Sequence, residues 1–135
     1  MAERHNGRCH CGAIRIAFET EKPLAPRACQ CSFCRKHGAR TVSDPVGAAE
    51  IEWSLEPIRY RFAAHAADYL ICRRCGVYVG AATEELATLN LNAFEDPHPE
   101  LAAEPVSYEG ESPEEKAQRR RRRWTPLRLQ RRAER

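Results

Sequence analysis

The sequence predicts a small, mainly β protein with short antiparallel sheets. Apolar and polar residues alternate over several short segments, as they do in half-buried strands. The seven cysteines fall into three tight clusters, and thiols one or two residues apart converge on one ion more easily than they form a disulfide with each other. The clusters are Cys9-His10-Cys11, Cys29-Gln30-Cys31-Ser32-Phe33-Cys34 and Cys72-Arg73-Arg74-Cys75. We therefore expect the sheets to fold around a bound metal.

The strand prediction follows the positions of the apolar residues. A turn or bulge at Glu56-Pro57 separates two alternating runs, and the third cysteine cluster lies at the tip of an expected hairpin. One short helix is expected around residues 32–40. The predicted strands cover residues 14–18, 51–55, 58–62, 69–71, 77–82 and 88–94.

Charge and composition divide the chain into a zinc-binding β-domain, 1–110, and an arginine-rich tail, 111–135. Residues 116–135 carry ten Lys+Arg and one acid, a net charge of +9, whereas the preceding residues carry a net charge of −6. A helix is predicted to begin at Ser112, because Pro113 and Glu115 complete a capping-box pattern. No apolar stripe follows, so we expect a tail that is partly helical or disordered and is mobile unless a partner binds it.

Nothing in the sequence indicates a membrane anchor or an export signal. Residues 1–12 contain no apolar run, and no stretch approaches the roughly 20 apolar residues that span a membrane. Cysteines retained as thiol ligands suit a reducing compartment. We therefore expect a cytoplasmic protein with no membrane partner.

Two of the cysteine pairs are predicted to form one closed structural zinc site. Zinc in structural sites takes four ligands in a tetrahedron, and a Cys-x-Cys or Cys-x-x-Cys pair supplies two of them from one turn of backbone. A glycine follows each pair and permits the tight turn that brings N–H groups towards the sulfurs. The predicted ligands are Cys9, Cys11, Cys72 and Cys75.

The remaining cysteines, Cys29, Cys31 and Cys34, predict a second zinc with three protein ligands, so that two zinc ions bind per chain. Three ligands and an open fourth position are the pattern of catalytic zinc. Two alternatives are open. His37 could complete the ligand shell and close the site, or one of the three cysteines could be a buried apolar thiol, in which case one zinc is bound.

An open site of this composition favours a thiol as substrate. Three thiolates largely neutralise zinc, which then polarises carbonyls poorly but still deprotonates a thiol that enters the fourth position. Arg35 and Lys36 are expected to attract carboxylates of that thiol, and Asn90 and Asn92 to donate hydrogen bonds to it. Solvated surface charges are the other interpretation of Arg35 and Lys36.

Three linked motifs resemble, in order and spacing, the signature of the glutathione-dependent formaldehyde-activating enzyme family, which includes centromere protein V. The resemblance covers residues 5–110. The motifs are Gly7-Arg8-Cys9-His10-Cys11-Gly12-Ala13-Ile14-Arg15, Cys29-Gln30-Cys31-Ser32-Phe33-Cys34-Arg35-Lys36-His37-Gly38-Ala39 and Cys72-Arg73-Arg74-Cys75-Gly76.

The resemblance implies an Mss4-like fold, in which small sheets fold over a zinc ion. It assigns a structural zinc to Cys9, Cys11, Cys72 and Cys75, and a catalytic zinc to Cys29, Cys31 and Cys34. The implied activity is the reversible condensation of formaldehyde with glutathione to S-hydroxymethylglutathione, which in the reverse direction is a carbon–sulfur lyase reaction. The implied partners are a small thiol and a small aldehyde.

The arginine-rich tail leaves a different function open. Arginines within 119–135, interleaved with Trp124, could neutralise several phosphates in a non-catalytic zinc module that contacts nucleic acid. We favour a solvated tail or an intramolecular contact, in which the basic tail docks on the acidic body with Trp124, Leu127 and Leu129 as anchors. The arginines concerned are Arg119 to Arg123, Arg128, Arg131, Arg132 and Arg135.

Overall fold

A computed structural model describes residues 2–133 of the chain, and strands dominate it. The strands are Glu3–Arg8 (β1), Ile14–Thr20 (β2), Arg27–Cys29 (β3), Thr41–Val42 (β4), Ala48–Trp53 (β5), Ile58–Tyr60 (β6), Asp68–Ile71 (β7), Tyr78–Ala82 (β8), Leu86–Asn90 (β9), Glu104–Val106 (β10) and Thr125–Arg132 (β11). The helices are Ser32–His37 (α1) and Pro113–Arg123 (α2), and a 3-10 turn covers Leu91–Ala93. The mainly β prediction is confirmed.

The strands form two half-sheets that β11 connects. The first half-sheet contains β1, β2 and β5, and the second contains β3, β4 and β6 to β10. β11 runs parallel to β5 from Leu127 to Arg132 and pairs antiparallel with β9 at Thr125 and Pro126. β3 and β10 form the other parallel pair, whereas the remaining pairs are antiparallel as predicted.

The core lies between the apolar faces of the two half-sheets. Ile14, Ile16 and Phe18 of β2 are buried as their alternation predicts, and they pack in one cluster with Ile51 and other residues of both half-sheets. The second alternating run behaves differently, because β6 is short and its three residues are exposed.

The expectation of a mobile tail is wrong for residues 113–132. The capping box at Ser112 forms as predicted and starts α2, but the chain then continues into β11, where Trp124 and Thr125 are 6% and 1% exposed. Thr125 also accepts a hydrogen bond from the backbone N–H of Asp44, at 2.8 Å from Oγ1. Because β11 is hydrogen-bonded to a strand on each side, it belongs to the sheet. The boundary at residue 110 still marks a change in net charge. Arg135 lies outside the described residues.

The docking of the basic segment on the acidic body is confirmed by ion pairs. Arg128 of β11 contacts Glu19 of β2 at 2.6 Å and Glu50 of β5 at 2.5 Å. Arg4 of β1 contacts the same two glutamates at 2.8 and 2.9 Å. Hydrogen bonds from these arginines lower the pKa of both carboxyl groups. The largest effect on Glu19 comes from Arg128, and the largest effect on Glu50 comes from Arg4. The four side chains therefore connect all the strands of the first half-sheet to β11.

Both helices are short. α1 has six residues and α2 has eleven. Across residues 2–133, no helix is long and apolar enough to cross a membrane.

Replacing Trp124 by alanine tests whether β11 and its start are part of the fold. Trp124 packs with Ala67 and Ala81, so the cavity left by Trp124→Ala should lower the free energy of unfolding by about 3–5 kcal/mol in urea denaturation. Arg122→Ala, an exposed position of the same segment, is the control and should change stability little. If the two variants were equally stable, Trp124 would contribute nothing to the fold, and the expectation of a mobile tail would hold.

Candidate metal centres

Cys9, Cys11, Cys72 and Cys75 form one cluster, called the quartet below. Their sulfur atoms all lie within 4.8 Å of one another, and Cys11 Sγ is 3.7 Å from Cys9 Sγ and 3.6 Å from Cys72 Sγ. The first two cysteines lie in the loop between β1 and β2, and the other two in the loop between β7 and β8. The quartet thus joins the two half-sheets, as the predicted structural site requires.

The backbone around the quartet directs N–H groups at the sulfurs. Ile14 N lies 3.2 Å from Cys9 Sγ, and Arg74 N lies 3.4 Å from Cys72 Sγ. Gly12 and Gly76 close the two turns with φ of +83° and +78°, a left-handed conformation that favours glycine. The N–H of Ile14 favours the thiolate form of Cys9.

The quartet fits a zinc ion. Four thiolates meet the full ligand requirement of structural zinc, and no place remains for a substrate. Burial raises the pKa of Cys9 to about 12, so this thiol needs a nearby cation to be deprotonated at neutral pH. A divalent metal would supply that charge.

Cys29, Cys31 and Cys34 form the second cluster, called the trio below, and their sulfurs also lie within 4.8 Å of one another. Cys29 ends β3, Cys31 is the N-cap of α1, and Cys34 lies in the first turn of that helix. Cys31 Sγ accepts a hydrogen bond from the backbone N–H of Cys34 at 3.4 Å. The capping turn of α1 therefore gathers three thiols that suit a metal ion.

His37 does not join the trio. In residues 2–133, the side-chain group that could hold a metal here contains the three cysteines and no fourth protein ligand. The His37 ring instead lies 4.5 Å from the ring of Phe33 and 5.4 Å from that of Tyr78, measured between centroids, and the residue is exposed. The geometry therefore favours the open site over the site closed by His37.

A cavity of about 400 Å³ opens beside Cys29 and Cys31. A smaller one of about 50 Å³ adjoins Cys29 and Cys34. Tyr69 lines both, and its ring packs against Phe33 and Phe62 at centroid distances of 5.0 and 4.6 Å. A larger cavity of about 880 Å³ over Trp53 is lined by no cysteine, so size alone does not locate the chemistry. The trio thus lines a cavity that can hold a small molecule.

The residues predicted to contact a thiol lie in different places. Arg35 lines the cavity, and its Nε donates to Gln30 O at 3.0 Å, whereas Lys36 is exposed outside the lining. Asn90 donates to Tyr78 O at 2.8 Å, and Asn92 donates to Gly38 O at 2.9 Å. Both asparagine amides thus hold backbone near α1. Of the four residues, Arg35 alone lies at the cavity.

Sequence reasoning missed the cavity residues that come from α2 and from the segment before it. The sequence shows the arginine run and the start of the helix, but no local pattern indicates that two of these arginines are buried against the trio. These residues are Tyr108, Glu111, Lys116, Arg119 and Arg120.

Serine variants separate the two centres. Purified without chelator, the protein should contain about two zinc ions per chain, because both clusters suit zinc. Cys72→Ser should unfold or aggregate the protein, since a structural zinc contributes on the order of several kcal/mol to folding. Cys31→Ser should stay folded, with about one zinc. Metal analysis and thermal unfolding check both variants, and equal destabilisation would make the trio structural as well.

Comparisons with known proteins agree with this geometry. The family model of the glutathione-dependent formaldehyde-activating enzyme matches residues 4–108, which include both cysteine clusters. A crystal structure of a Rhodobacter sphaeroides protein, solved as a structural genomics target, is similar with 30% sequence identity and a TM-score of 0.59. The match covers 74% of this chain and 97% of that one. The family model thus covers the three motifs, both clusters and most of the chain. The chain belongs to the glutathione-dependent formaldehyde-activating enzyme family.

Proposed function

We propose that this protein is a zinc-dependent enzyme that joins a small thiol to a small aldehyde, with glutathione and formaldehyde as the model pair, and that it also catalyses the reverse carbon–sulfur lyase reaction. The observation that carries the proposal is the trio, where three clustered thiols face a cavity and no fourth protein ligand within residues 2–133 accompanies them. The family supports the choice of thiol and aldehyde. Ligand cysteines kept as thiols support a cytoplasmic location.

The two clusters would divide the metal chemistry between them. The quartet would hold zinc as a closed structural site. Zinc held by Cys29, Cys31 and Cys34 would bind a thiol substrate and lower its pKa, so that sulfur reacts as a thiolate. The proposed reaction forms one bond between that sulfur and the aldehyde carbon. The proton that leaves the thiol returns to the aldehyde oxygen, so no oxidant or reductant is needed.

Tyr69 is suited to assist at the aldehyde oxygen. Burial raises the pKa of Tyr69 to about 12, so its hydroxyl stays protonated at neutral pH. A protonated phenol can donate a hydrogen bond to an oxygen on which negative charge develops. The ring of Phe62, which also lines the cavity, packs against the ring of Tyr69, and so does the ring of Phe33.

The nucleic-acid module is the weaker candidate. Arg119 and Arg120 are buried, and Arg128 and Arg131 pair with glutamates of the sheet, so these four are not free to neutralise phosphates. A nucleic-acid module would also make no use of the three clustered thiols of the trio.

A cobalt-substituted sample tests the proposed function directly. Glutathione should change the thiolate spectrum of the cobalt protein, because its sulfur enters the first shell at the trio. Cys31→Ser should abolish the response, whereas His37→Ala should respond as the parent protein does. Formaldehyde consumption with glutathione is measured on the same samples. A spectrum unmoved by millimolar glutathione and by other small thiols would refute the enzymatic proposal.

Tyr69→Phe tests the assisting hydroxyl. The variant should bind glutathione normally in the cobalt assay but form the carbon–sulfur bond about ten- to a hundredfold more slowly, since one charge-stabilising donor is lost. Tyr60→Phe, an exposed tyrosine outside the cavity lining, is the matched control and should retain its rate. Equal rates for the two variants would remove Tyr69 from the reaction.

A further inference from the structure

The hydroxyl of Tyr69 receives a hydrogen bond from α2. The side chain of Arg120 hydrogen-bonds Tyr69, whose only polar side-chain atom is the phenolic oxygen. Within residues 2–133 the buried Nε of Arg120 has no partner, so the bond comes from a terminal nitrogen of the guanidinium. This bond joins a helix of the basic segment to a residue that lines both cavities at the trio.

Both partners of this hydrogen bond are held in place by the same residue. Tyr69 packs against a cluster formed by Ala67, Ala81 and Trp124. The guanidinium of Arg120 lies 4.8 Å from the ring centroid of Trp124, and Arg120 is 6% exposed. The backbone N–H of Trp124 also donates to Arg120 O at 2.8 Å and ends α2. Trp124 therefore fixes the position of the arginine relative to the phenol.

The direction of the hydrogen bond determines what the phenol can do. A guanidinium has N–H donors and no acceptor, so the oxygen of Tyr69 accepts from Arg120. The phenolic hydrogen then remains available for a second partner, whereas a carbonyl or a carboxylate in the place of Arg120 would take it. The rings of Phe33 and Phe62 pack against Tyr69 and carry no polar atom that could accept it. The hydroxyl can therefore donate to a molecule in the cavity.

The charge of Arg120 also makes the phenol a better donor. Burial raises the pKa of Tyr69, and the positive charge of Arg120 acts in the opposite direction. A hydroxyl that accepts a charge-assisted hydrogen bond is polarised, which strengthens the bond that it donates. The neighbouring Arg119 has a different partner, because Glu111 accepts from its Nε at 3.0 Å and from its Nη2 at 3.1 Å. Glu111 acts on Arg120 only through its charge.

We propose that Arg120 is a positioning residue, which donates to the oxygen of Tyr69 and thereby turns the phenolic hydrogen towards the aldehyde oxygen at the trio. The inference rests on the proposed function, because it gives the cause of the donor role that Tyr69 has there. The family model ends at residue 108, so the residue that orients the phenol comes from a part of the chain beyond that match. α2 thus takes part in the reaction through Tyr69.

Steady-state kinetics on the full-length, zinc-loaded protein test this role. Arg120→Met keeps a long side chain and removes the donors. Its kcat for formaldehyde with glutathione should fall about ten- to a hundredfold, because the phenol loses its orientation, while the KM for glutathione stays unchanged. Arg120→Lys keeps a donor that cannot accept and should recover most of the rate. Arg122→Met, at an exposed position of the same helix, is the control and should match the parent protein.

A double-mutant cycle shows whether Arg120 acts through Tyr69. Tyr69→Phe leaves no oxygen for the guanidinium to contact, so adding Arg120→Met to it should slow the reaction no further. Fully additive losses would overturn the inference. A raised KM for glutathione with an unchanged kcat would also overturn it, since Arg120 would then serve substrate binding. Equal rates for Arg120→Met and the parent protein overturn it while the proposed function stands.

A further variant keeps the test decisive if Arg120→Met does not fold, which thermal unfolding checks. Arg120→Gln introduces an amide oxygen that can accept the phenolic hydrogen and turn it away from the cavity. We then expect Arg120→Gln to react more slowly than Arg120→Lys. Equal rates for these two variants would overturn the inference.

Carbon-13 NMR separates the hydrogen bond from the proposed function. In protein labelled at the Cζ atom of tyrosine, the signal that Tyr69→Phe removes belongs to Tyr69. Arg120→Met should shift this signal, because Cζ carries the oxygen that accepts the bond, whereas Arg122→Met should leave it in place. An unmoved signal overturns the inference whether or not the protein is active. If the signal moves but the parent protein consumes no formaldehyde, the proposed function is refuted, and the role of Arg120 in that reaction with it.

Discussion

The sulfurs of Cys9 and Cys11 meet those of Cys72 and Cys75, and the arrangement of the two half-sheets depends on that contact. The first pair lies between β1 and β2, and the second lies between β7 and β8. Bringing such distant parts of a chain together costs conformational entropy, which metal–thiolate bonds can offset. Cys9 and Cys72 are 1% and 2% exposed and belong to the core, whereas Cys11 lies at the surface.

β11 joins the same two half-sheets a second time, through backbone hydrogen bonds instead of thiolates. Because α2 leads directly into β11, the position of that strand also determines where the helix lies. The arginines of one short segment then acquire different roles. Arg128 pairs with glutamates of the first half-sheet, Arg120 is buried at the cavity, and Arg122 remains exposed.

The two cysteine clusters offer the same chemical group, but they differ in ligand number and in access. The quartet supplies four thiols and leaves no coordination position for another molecule. The trio supplies three, and its open side faces a cavity walled by aromatic rings and by buried cations. A metal ion held by the trio would therefore lie beside a low-polarity wall and a positive charge. Those are conditions that favour the thiolate form of a sulfur ligand.

The sequence by itself determined the strands β2 and β5 to β9, the grouping of the cysteines and the start of α2. Each depends on residues that are close in the chain, such as the alternation of Ile14, Ile16 and Phe18 or the capping box at Ser112. The tertiary structure decided what local patterns do not record. Whether His37 reaches the trio depends on the direction in which α1 points, and whether an arginine is solvated or buried depends on a strand that pairs with β5 and β9. Arg120 and Arg122 are the same residue type two positions apart, and only the position of α2 in the fold makes one of them part of the cavity.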